Sequence, residues 1–92
     1  MGGYTFALLT TGAPTEAEGR TADGRPYLFH ARHGDWDIEL GNKDWPTDYA
    51  QWPTEWHELH HVDRLYASGA DPSMGYMTDD AIRAILTKYL PA

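Results

Sequence analysis

Two histidines four residues apart, His57 and His61, with Glu58 beside the first, are the residues in this chain whose types and spacing could do chemistry. On a helix, positions i and i+4 lie one turn apart on one face, so two imidazoles there can hold a single zinc ion. Glu58 would then stand where a general base takes a proton from metal-bound water. Other reactive arrangements are missing. Cysteine is absent, which removes thiolate nucleophiles and thiolate metal sites. The sequence holds no Gly-x-Ser-x-Gly and no phosphate-cradling glycine loop, and Ser68 and Ser73 lie in turn contexts without an evident base. His30 and His33 would join a metal cluster only if the strands carrying them lay over the helix's polar side. Pairing of His30 with Glu39 and stacking of His33 near Trp36 accounts for both without a metal.

The run His57-Glu58-Leu59-His60-His61 resembles the H-E-x-x-H signature of the zincin metallopeptidases. That resemblance implies zinc as cofactor, His57 and His61 as ligands and Glu58 as base. The positions of the extended form's glycine and third histidine hold Arg64 and Ala67 here. No glutamate follows Glu58, so a third ligand would have to come from Asp63, Asp71, Asp79 or Asp80.

A second constellation is aromatic and acidic. Trp45, Tyr49 and Trp52 lie in a proline-punctuated connecting segment with Asp44, Asp48 and Glu55 close by in sequence. Trp and Tyr bring large contact area with few rotors, which makes these six residues the expected binding surface. The alternative is that the rings fold back and cap the small core.

Charge narrows the partner. Fourteen acidic residues against seven basic ones leave a formal net charge of -7. Such a field repels phosphate, so direct nucleic-acid binding is not expected, whereas a protein partner with a basic surface is. Small acidic inhibitors of bacterial defence complexes carried by phages, such as anti-CRISPR proteins, are similar in size and charge; no motif carries that likeness. It implies an inhibitor that acts by contact, with the zinc-binding domain or minimal metallohydrolase as the alternative. The longest early apolar run, Phe6 to Leu9, is too short for a signal or a membrane span. A cytoplasmic protein with no membrane partner is the expectation.

The elements that must position these residues follow from periodicity. Ninety-two residues with 41% hydrophobic content suit one domain, residues 1–92. Tyr4 to Thr11 reads as a strand, Gly12 to Gly19 as a loop and Gly19 to Ala22 as a short strand. A hairpin of Pro26–His33 and Trp36–Leu40 turns at Gly34-Asp35, pairing His33 with Trp36, Ala31 with Ile38 and Phe29 with Leu40. Arg32 then faces Asp37, and His30 faces Glu39. Trp45-Pro46-Thr47-Asp48-Tyr49 is echoed by Trp52-Pro53-Thr54-Glu55-Trp56, two helix-start signals. The second opens a helix from Glu55 to Ala67 with Trp56, Leu59, Val62 and Tyr66 inward and His57, His61 and Arg64 outward. Ala70 to Gly75 reads as a loop. A last helix starts at Thr78, stapled by Met77 and Ile82, with Ile82, Ile85, Leu86 and Tyr89 inward. The fold class is α+β: an antiparallel meander of three to four strands with two C-terminal helices packed on one face.

Overall fold

Small residues at Thr15, Ala17 and Gly19 alternate with Glu16, Glu18 and Arg20, and in the computed structural model that alternation makes a full strand with its small side buried. Residues 3–11, 14–70 and 78–91 are described. Among the described residues five strands, β1 (Ala7–Thr10), β2 (Thr15–Arg20), β3 (Pro26–Arg32), β4 (Asp35–Leu40) and β5 (Leu65–Ala70), form an antiparallel sheet in sequence order. Short helical pieces lie between β4 and β5: a 3-10 turn (Tyr49–Gln51), α1 (Thr54–His57) and α2 (His61–Arg64). The longest helix, α3 (Asp79–Tyr89), follows the sheet. The α+β class and the antiparallel meander hold, with five strands instead of three to four and, among the described residues, three helices instead of two, of which α3 packs on the sheet's apolar face.

The β3–β4 turn sits at His33-Gly34, not Gly34-Asp35. Both residues have positive φ, 56° and 86°, as a two-residue type I′ turn requires. Ala31 therefore pairs with Trp36, Phe29 with Ile38 and Tyr27 with Leu40. The shift is two residues, so every side chain keeps its expected face. Charge could not separate the registers, because His30 opposite Asp37 and Arg32 opposite Asp35 are again cross-strand pairs of potential opposite sign.

The expected helix over 55–67 is broken. Its first turn survives as α1, Leu59 and His60 are non-helical, and after α2 the chain becomes β5. β4 has backbone groups to satisfy on its outer side, and Leu65–Ala70 satisfies them; tertiary pairing overrides a modest helix preference. A bulge between Ile38 and Glu39 makes Tyr66 the extra residue on β5.

One face of the sheet carries Ala17, Tyr27, Phe29, Ala31, Trp36, Ile38 and Leu40, and α3 packs there through Ile82 and Leu86, both fully buried. Each of these two side chains contributes about 1.5–3 kcal/mol by leaving water. Thr78 caps α3 as expected, its hydroxyl accepting from Ala81 N, with Asp79 and Asp80 in the first turn. The staple residue Met77 and positions 71–75 of the expected loop lie outside the described residues. Tyr4 ties the start of the chain to α3, donating to the Arg83 carbonyl at 3.0 Å.

Candidate functional site

The sheet's second face carries Glu16, Glu18, Arg20, Leu28, His30, Asp37 and Glu39, and the segment from Gly41 to Arg64 folds across part of it. Arg20 anchors the start of this segment. Its guanidinium donates to the carbonyls of Trp45 at 2.7 Å and Gly24 at 2.8 Å, and to the Thr47 hydroxyl at 2.9 Å. Trp52 is buried, its indole N–H donating to the Pro46 carbonyl at 2.9 Å. Trp56 packs edge to face on Trp45 and Trp52, which are tilted against each other, with centroids 5.4–5.9 Å apart, and Tyr49 lies 4.8 Å from Trp52. Gly41 permits this approach, since a Cβ there would stand 2.7 Å from the Trp45 ring.

Glu39 is the polar centre under these rings. Only 4% exposed, its Oε1 accepts the Tyr49 hydroxyl at 2.7 Å and the Trp56 indole N–H at 2.8 Å. Arg64 reaches the Tyr49 oxygen at 3.3 Å. Burial and the hydrogen bond to Glu39 push the Tyr49 phenol well above its ordinary range, so it stays protonated and remains a donor.

The predicted binding residues thus divide by position. Trp52 is interior, while Trp45 and Tyr49 are half-buried and keep part of each ring at the surface. Asp44, Asp48 and Glu55 are exposed. Asp48 also caps the 3-10 turn, accepting from Ala50 N at 3.1 Å. It lies close enough to Glu18 on β2 to help burial push that carboxyl upward.

The two histidines are not brought to one helical face. His57 is half-buried on α1 with its ring edge-on to Tyr49, centroids 4.9 Å apart, and its buried Nε2 has no hydrogen-bond partner among the described residues. His61, exposed on α2, places Nε2 3.3 Å from Asp37 Oδ2. Among the described residues no group of three or more His, Cys, Asp or Glu side chains is arranged to hold a metal ion. Burial pushes the Asp37 carboxyl up, although His30 and His61 pull it the other way. His30 pairs with Asp37 rather than Glu39, and His33 occupies the turn.

Sequence reasoning missed Glu39 as a hub and Arg20 as an anchor. Neither was signalled locally: the expected register set Glu39 opposite His30, whereas in the fold it stands opposite the buried Leu28. No helix is long and apolar enough to cross a membrane among the described residues. No family model matches the chain, and comparison with curated proteins and with solved structures likewise finds no match.

Proposed function

We propose that this chain is a protein-interaction module that occupies a cationic surface on a partner protein, of the kind that otherwise receives nucleic-acid phosphates, and inhibits by that occupancy. The contact residues are Asp44, Asp48 and Glu55 with the exposed parts of Trp45 and Tyr49, while Trp52 holds the segment in shape.

One observation carries the reading: five of the seven Lys and Arg side chains are engaged by backbone carbonyls, hydroxyls or aromatic rings, while Arg25 and Lys43 also act on Asp23. Arg20, Arg25 and Arg64 donate to backbone carbonyls and hydroxyls, and Arg83 and Lys88 lie over the Phe6 and Tyr89 rings. Among the described residues no Lys or Arg forms an ion pair with a carboxylate, and the ion pair present joins His61 to Asp37. Anionic charge left unneutralised on a rigid scaffold favours a cationic partner and speeds its encounter. The same charge disfavours nucleic acid itself.

The test is affinity capture from the native host with the wild-type chain and with Asp44→Lys/Asp48→Lys/Glu55→Lys, both checked for folding by thermal melt. Proteins held by the wild type, lost by the variant and displaced by heparin support the reading. Equal capture by a folded variant refutes it.

A further inference from the structure

The outer edge of β5 is open among the described residues, because the sheet order ends there. Its sequence, Leu-Tyr-Ala-Ser-Gly-Ala, contains neither a charge nor a proline, the usual guards of a free edge. The opposite edge differs: β1 has four residues and a register shift between Leu8 and Thr10. Shortness and irregularity protect an edge of that kind.

Beside β5, on the α3 side of the sheet, lies a groove of about 420 Å³. Trp36 and Gly69 line it from the sheet, Ala81, Ala84 and Ile85 from the helix, and Lys88 adds one cation. Gly69 lets Trp36 lie against the strand, since a Cβ there would stand 2.5 Å from the indole. The volume falls in the range of about 300–1,000 Å³ common to ligand sites. On the other side of the sheet, Ser68 stands opposite Asp37 and Ala70 opposite Asp35. A strand added to β5 would lie two strand spacings from those carboxylates, about 9–10 Å. Asp37 is already held by His61, but Asp35 is exposed and Ala70 is small, so a long cationic side chain can lie across Ala70 and reach Asp35.

We propose that β5 receives an extended peptide segment of a partner protein as a sixth strand, with apolar side chains entering the groove beside Trp36 and cationic side chains, alternating with them, on the opposite face beside Asp35. Strand addition of this type takes affinity from main-chain hydrogen bonds and specificity from alternate side chains. Lys88 disfavours a cation on the helix side, which sets the alternation. The inference extends the reading above and rests on it only for the sign of the partner's charge.

The probe is an acetylated, amidated octapeptide of alternating valine and lysine, titrated calorimetrically into the full chain and followed by amide hydrogen exchange across Leu65–Ala70. Binding with slowed exchange in β5 is expected. Ala84→Trp, which fills the groove, and Asp35→Ser should each weaken binding at least tenfold with melting retained. So should glutamate in place of lysine, or N-methylation of the valines. No binding, binding indifferent to N-methylation and Ala84→Trp, or self-association through β5 that excludes the peptide overturns the proposal. Host partners kept by Ala84→Trp but lost on charge reversal at Asp44, Asp48 and Glu55 would sink strand addition alone. Partners lost with neither variant would sink both readings.

Discussion

Trp56 donates its indole N–H to Glu39 Oε1 across 2.8 Å, fixing α1 to a carboxylate near the end of β4. The same oxygen accepts from Tyr49, so two aromatic donors share one buried acceptor. Glu39→Ala leaves both unpaired and should cost about 2–4 kcal/mol in urea unfolding. Glu39→Gln keeps an acceptor oxygen and should cost about 1 kcal/mol.

Shape and contact separate by mutation. Trp52→Ala opens a cavity under the connecting segment and should cost about 3–5 kcal/mol. Asp44→Lys/Glu55→Lys changes exposed positions and should stay within about 0.5 kcal/mol of wild type, measured by the same urea unfolding.

The β3–β4 turn predicts two opposite effects. Gly34→Ala places a Cβ at a φ of 86° and should destabilise by about 1–2 kcal/mol. His33→Asn supplies the favoured Asn-Gly pair at a φ of 56° and should stabilise by about 0.5 kcal/mol. Chemical denaturation of both variants checks the turn's position.

Acid dependence follows from Asp37 and Glu18, whose carboxyls are raised, chiefly by burial. A carboxyl raised in the fold holds more protons there than in the unfolded chain. Its contribution to stability is therefore present below the unfolded range near pH 4 and falls as pH rises through the folded value. Asp37→Asn should raise the melting temperature at pH 7 and change it little at pH 3. His30, His61 and Glu39 also act on this carboxyl, so His61→Ala serves as the matching control.

Much of the fold was legible where apolar alternation was strong. Tyr27, Phe29, Ala31, Trp36, Ile38 and Leu40 announce their shared face, and Thr78 with Asp79 and Asp80 announces α3. β2 was obscured because its inward residues, Thr15, Ala17 and Gly19, are small and read as a loop beside the glutamates. β5 was obscured because Leu59, Val62 and Tyr66 mimic a helical stripe. Folded, they are 43%, 71% and 47% exposed, and the strand exists only because β4 needs a neighbour. In the candidate site, Asp44, Asp48 and Glu55 could be placed outward from polarity alone. The Glu39 hub could not be read this way, because it depends on a register and a fold-back that no local pattern encodes.

Helix α3 comes after all five strands, yet it supplies Ile82 and Leu86, which cover the sheet's apolar face. During synthesis the strands' apolar positions therefore emerge before the helix that covers them. Until α3 clears the ribosome, those positions are available to chaperones and to neighbouring nascent chains.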